Sequence, residues 1–141
     1  MWLDTTTPLE SRRHDDAVAM GSYHIDIREV QRTWRWVYEH PRPLGMVFTE
    51  GYLSVPVRPY QIPYRCIVPR EEDCTNLIVP VCVSASHVAF SSVRMEVQHQ
   101  MLGHAAGRAA ALSADSDVDV QRVDVAVLRK RLAADGQVLS L

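Results

Sequence analysis

The sequence predicts an α+β piece, with short strands in its first half and helices at its end. Three observations lead there. Between residues 22 and 75, apolar and polar residues alternate in short runs broken by Pro41, Pro43, Gly45, Gly51, Pro56, Pro59 and Pro63. Residues 93–114 then form one long run of helix formers. Ser91 or Ser92 can cap it, and Glu96 lies in its first turn, where the helix dipole favours an acid. Last, Asp124 can cap a second helix, Val125–Ala134, and Gly136 stands where a C′ glycine belongs.

Taken in order, residues 1–20 are polar and lack periodicity, so a poorly ordered N-terminal segment is expected. Residues 22–28, SYHIDIR, alternate as a strand does. In residues 29–39 the alternation of Trp34, Trp36 and Tyr38 favours a strand over a short helix, and Pro41, Pro43 and Gly45 end that element. Residues 52–57 place Leu53, Val55 and Val57 on one face, while Pro56 shortens the strand or confines it to an edge. Pro59 and Pro63 frame a stiff connection, residues 64–68 read as a further strand, and residues 70–75 are a charged loop. Residues 76–83, NLIVPVCV, carry the strongest strand signal, with a kink or an end expected at Pro80. On the long helix, Gly103, Ala106, Gly107 and Ala110 recur at three and four and make a flat face suited to close packing on a sheet.

The bulk numbers narrow the possible functions. The chain has 141 residues, enough for one domain with a real core, and is 47% hydrophobic and 23% charged, a globular composition. A net charge of −2 gives no electrostatic case for nucleic acid or an anionic membrane. Fourteen of the 15 basic residues are Arg, and the run Arg129-Lys130-Arg131 reads as a solvated helix face. Cys66, Cys74 and Cys82 fit neither a disulfide framework nor a zinc knuckle, which favours a reducing, cytoplasmic setting. No apolar stretch is long enough for a signal peptide or a membrane span.

Two constellations carry chemistry. Ser84, Ser86, His87, Ser91, Ser92 and Arg94 crowd into eleven residues between the expected strand and the long helix. Hydroxyls, backbone N–H groups and a guanidinium at such a junction suit an anionic or electron-rich ligand, although a plain capped turn has the same residues. Alternation also places His24, Asp26 and Arg28 on one side of the first strand, either as an ion-pair cluster or as part of a substrate pocket. His99 and His104 are five apart and so face different ways, which argues against a metal site. No G-x-S-x-G elbow surrounds the serines, so a Ser/His hydrolase has little support.

Several blocks resemble a bacterial family of FAD-dependent oxidoreductases, some members of which carry a xanthan lyase label. They are GSYHIDIREVQR, IPYR, NLIVPV, SASH, SVRME, MLGHAAGRAAAL and LAADGQVL, and they cover Gly21 to the C-terminus. The resemblance implies a glutathione-reductase-like FAD-binding α/β fold with an inserted substrate domain. It divides this chain into residues 1–20, a substrate-domain remnant at 21–75, and the C-terminal part of the FAD-binding domain at 76–141. It implies FAD as cofactor, with Ser84, Ser86, His87, Ser92, Val93, Arg94 and Met95 near the flavin and Asp26 and Arg28 near substrate. Arg28 stands where many members have His, and Val97 where Pro is common. The G-x-G-x-x-G turn that binds ADP in such folds is absent from the sequence.

The expectation is therefore a C-terminal segment that contributes a flavin-facing strand, turn and helix and is inactive by itself. Its implied partners are the missing N-terminal half of the enzyme and a small-molecule substrate. The alternative is a non-catalytic remnant or protein-interaction module.

Overall fold

The computed structural model describes residues 13–39 and 41–141. Six strands come first: β1 (Ala17–Gly21), β2 (Ile25–Ile27), β3 (Gln31–Val37), β4 (Leu44–Glu50), β5 (Leu53–Val55) and β6 (Tyr60–Pro63). Three helices follow: α1 (His87–Val93), α2 (Glu96–Ser116) and α3 (Val125–Ala134). Single 3-10 turns lie at Tyr64–Cys66 and Val120–Arg122. The chain is α+β, as expected.

The strands pair as nested antiparallel couples, β3 with β4, β2 with β5 and β1 with β6. Every pair, from Ala17 opposite Pro63 to Val37 opposite Leu44, is symmetric about the turn near Pro41. The six strands are thus one long two-stranded ribbon interrupted twice. Its burial falls from base to tip. Ala17, Val18 and Ala19 at the base are fully buried and Ile62 packs beside them, β2 is half-buried, and every residue of β4 is exposed. The tip carries apolar side chains on both faces. Trp34, Trp36 and Val47 share one face, with the two indoles edge to face at 5.0 Å, and Leu44, Met46 and Phe48 share the other.

Two glycines make this ribbon possible. A Cβ on Gly21 would lie 2.6 Å from the Tyr60 ring opposite it. Gly51 turns the chain between β4 and β5 at φ +84°, a left-handed conformation that other residues rarely adopt.

The base of the ribbon packs against α2 and α3, and α1 packs against β2. The core joins Val18, Ile62, Tyr64 and Ile67 to Val93, Leu102, Ala105, Ala109, Leu128 and Leu132. On α2 the buried positions are Gln98, Leu102, Ala105, Ala109 and Leu112, spaced four, three, four and three apart as a helix stripe requires. Both ends of α3 are as expected. The Asp124 carboxylate accepts from the N–H groups of Ala126 and Val127, and Gly136 follows at φ +86° with its N–H bonded to Ala133.

Several expectations are corrected. Residues 76–83 form no strand. Pro80 has no N–H to give a ladder, and the segment is tied by one backbone bond, Val79 N–H to Ile67 O, with Ser84 N–H to Cys66 O just after it. Residues 64–68 are a 3-10 turn and bend instead of a strand, whereas the connection between Pro59 and Pro63 is a buried strand, β6. β4 appears where Pro41, Pro43 and Gly45 had implied only a break. Residues 17–20 belong to a buried strand and not to a loose segment; residues 1–12 lie outside the described residues. The long helix expected at 93–114 is α2, which starts only at Glu96; a separate short helix, α1, precedes it, and the two are broken at Arg94–Met95. Ser91 Oγ donates to the Val88 carbonyl and the Arg94 guanidinium to the Ser91 carbonyl, so side chains compete for the last carbonyls of α1. The flat face of α2 is not packed on a sheet: Gly103, Gly107 and Ala110 are exposed, and a Cβ at either glycine would meet only open space. The chain thus contains no doubly wound sheet among its described residues.

Candidate functional site

The two constellations separated in sequence meet in space. β2 lies against α1, and the guanidinium of Arg94, just past the end of α1, donates from Nη2 to the Asp26 carboxylate at 3.0 Å and to the Asp26 carbonyl at 3.1 Å. Asp26 is mostly shielded, its side chain 12% exposed, while that of Arg94 is 36% exposed. Around this pair opens a cavity of about 190 Å³. Asp26, Ile27 and Arg28 line it from the ribbon, and His87, Phe90, Ser91 and Arg94 from the helical side. Arg28 and His87 are both exposed, and their polar groups make no hydrogen bond within the described residues.

The serines have other roles. Ser86 is the N-cap of α1, its Oγ accepting from the Ala89 N–H at 3.2 Å. Ser92 is fully buried and forms a hub. Its Oγ donates to the Tyr23 carbonyl and accepts from Tyr60 Oη at 2.6 Å. Burial pushes the Tyr60 phenol up to about 12, the Ser92 bond lowering it only in part, so Tyr60 is the neutral donor. This hub fastens the segment before β2, the strand β6 and the helix α1 to one another, which fixes the cavity walls.

Val93 is fully buried in the core, and Met95 is the half-buried residue that opens α2. Ser84 lines a different, larger hollow of about 630 Å³ beside Asp16, Tyr64, Arg65 and Gln121. The structure therefore brings His87 and Arg94 together with Asp26 and Arg28. It holds Ser86, Ser92 and Val93 in supporting positions and sets Ser84 apart.

Phe90 and Ile27 are the residues that the sequence did not single out. Ile27 lies between Asp26 and Arg28, and Phe90 lies three residues after His87, but neither side chain carries a polar group that marks it as chemistry-bearing. Arg129 also differs from its expected solvated position. It is half-buried, its Nη1 donates to the Asp15 carbonyl, and its Nε is buried without a partner. Among the described residues no three His, Cys, Asp or Glu side chains converge as metal ligands, and no helix is long and apolar enough to cross a membrane.

FAD needs a phosphate cradle and a surface for its ring system. The described residues provide no cradle. α2 has no side-chain N-cap, and Glu96 already occupies its first turn, which repels phosphate. His87, which is exposed, and Arg94, which is partly so, are of a type that can hydrogen-bond one edge of a planar electron-rich ring. The fit is thus to a part of the cofactor and not to the whole dinucleotide.

Residues 2–132 match the model of a family described as FAD dependent oxidoreductase. Neither the curated proteins nor the solved structures contain a match to the chain. The family match spans the ribbon, the Asp26–Arg94 cavity and nearly all of the helical part, and on that extent the chain belongs to the FAD-dependent oxidoreductase family, whose cofactor is FAD.

Proposed function

We propose that this chain is the C-terminal segment of an FAD-dependent oxidoreductase and contributes the Asp26–Arg94 cavity to a site completed by an N-terminal part. Residues 21–75 correspond in this reading to the substrate domain and residues 76–141 to the FAD-binding domain. The observation that carries it is the Arg94–Asp26 ion pair, which joins a candidate flavin-side residue to a candidate substrate-side residue 68 positions away in sequence. Incomplete packing supports it further. Among the described residues each strand couple has two strands, and the small-residue face of α2 and both apolar faces of the ribbon tip are open.

FAD, if bound, would supply a two-electron acceptor. The chain's own residues bind and orient. Asp26 pairs with Arg94 and holds it in one position, so the cavity wall keeps its shape when a ligand enters. Arg28 and His87 offer free donors at the cavity mouth. Ile27 and Phe90 keep water from the floor.

The test is equilibrium dialysis of the purified chain with FAD, alone and after mixing with a family polypeptide that carries the glycine-rich turn. The chain alone is expected to retain little FAD, since most preorganised contacts are elsewhere. The mixture is expected to retain it and to gain flavin reduction. A yellow, stoichiometric flavoprotein from this chain alone would overturn the segment reading. A non-catalytic interaction module is the second reading, favoured by the exposed Trp34, Trp36 and Phe48 of the tip. Retention of neither FAD nor activity in the mixture would select it.

A further inference from the structure

We infer that the cavity between β2 and α1 selects a small carboxylic acid with a flat apolar body. The inference rests on the reading that this cavity serves substrate. Arg94 is largely neutralised by Asp26, its close partner at 3.0 Å. Arg28 has no such partner at the cavity wall. The adjacent Glu29 is engaged elsewhere: its carboxyl is held low first by a backbone hydrogen bond and then by Arg32. His87 adds a second donor. The cavity mouth is therefore short of one negative charge, and Asp26 is already committed.

Geometry narrows the choice of anion. A guanidinium presents a planar fork that matches a carboxylate with two parallel hydrogen bonds. The floor is apolar, from Ile27 and Phe90, and an aromatic wall favours a flat partner through offset or edge contacts. Size narrows it further. At about 190 Å³ the cavity is smaller than the 300 Å³ or so at which drug-sized pockets begin. A nucleotide or an oligosaccharide is too large and too polar for such a floor, whereas an acid built on a single ring fits both halves.

The probe is benzoate, with benzyl alcohol as the neutral compound of the same shape. Each is titrated into the full ¹⁵N-labelled chain without FAD and followed by amide chemical shifts. Benzoate is expected to give saturable shifts at residues 26–28 and 87–94, and benzyl alcohol weak ones. Arg28→Gln is expected to weaken benzoate about tenfold, the usual cost of losing a charge-assisted bond, and to leave benzyl alcohol unchanged. Arg28 is exposed, so this variant keeps the fold. Arg70→Gln, on the charged loop, is expected to change neither. Equal response to both compounds, or an Arg28→Gln variant that binds benzoate as well as the parent, would overturn the inference, as would the absence of saturable shifts. Because no flavin is present, these outcomes are independent of the FAD dialysis. Benzoate binding with failed flavin reconstitution would reject the segment reading and keep this site.

Discussion

Removing the Ser92 hydroxyl should loosen the whole cavity, and the size of the effect follows from its neighbours. Ser92 is fully buried and bonds two groups at once, Tyr60 Oη and the Tyr23 carbonyl. In Ser92→Ala, the Tyr60 hydroxyl, on a side chain only 3% exposed, loses its acceptor and cannot reach water. An unsatisfied buried group of that kind costs about 1–3 kcal/mol. Tyr23 is half-buried, so water can replace Ser92 at its carbonyl and adds little. Tyr60→Phe removes the orphan itself and leaves Ser92 still donating to Tyr23, so it should cost only about 0.5–1.5 kcal/mol. The double variant should then be less destabilised than the sum of the two singles, because the unpaired phenol is gone. Urea unfolding followed by far-UV circular dichroism measures all three, with amide shifts at residues 26–28 reporting the cavity wall. Additive effects, or a Ser92→Ala cost below about 0.5 kcal/mol, would refute the hub argument.

Other outcomes follow from burial and open faces. Burial pushes the Tyr60 and Tyr64 phenols and the Cys66 thiol each up to about 12, so these groups stay protonated in the folded chain while the unfolded chain ionises near pH 9–10. Their contribution is fully present below pH 9 and is lost as pH rises towards 12; Tm should fall across that window, and a flat profile from pH 8 to 11 would contradict it. Gly21→Ala should cost roughly 1–3 kcal/mol by overpacking, because the new methyl meets the Tyr60 ring at 2.6 Å; in Gly21→Ala/Tyr60→Leu most of that cost should disappear from the urea midpoint. Trp34 and Trp36, 59% and 50% exposed, should be readily quenched by acrylamide in the isolated chain and protected once the N-terminal part is added; protection in the isolated chain would mean that the tip is already covered.

Local signals in the sequence were reliable wherever one short-range interaction decides the outcome. The Asp124 cap, the Gly136 stop and the helix between them depend on residues within a turn of each other, and all stand as read. Alternation likewise marked β2, β3 and β5, since side-chain direction along a strand is a property of the strand itself. The nesting of those strands into one ribbon needs pairs up to 46 residues apart, Ala17 with Pro63, and no window of sequence contains them.

Residues 76–83 failed for the opposite reason. Their apolar, β-branched run has strand propensity, but a strand needs a neighbour, and here Pro80 and the local path leave only the Val79 bond to Ile67. Ser91 and Ser92 looked like caps because hydroxyls at a helix start usually are. Packing of α1 against β2 turned Ser92 inwards to Tyr60, and the long helix α2 starts after Met95 with no side-chain cap, while Ser86 caps the separate helix α1.

The cavity divides in the same way. Asp26, Arg28, His87 and Arg94 were legible as chemistry-bearing residues, since their types and spacing are a matter of sequence. That Arg94 crosses to Asp26, that Arg28 is left without an acceptor, and that Phe90 and Ile27 form the floor were decided only by the docking of a seven-residue helix on a three-residue strand. Electrostatic pairing and solvent exclusion depend on distance in space, and it is the tertiary fold that sets those distances.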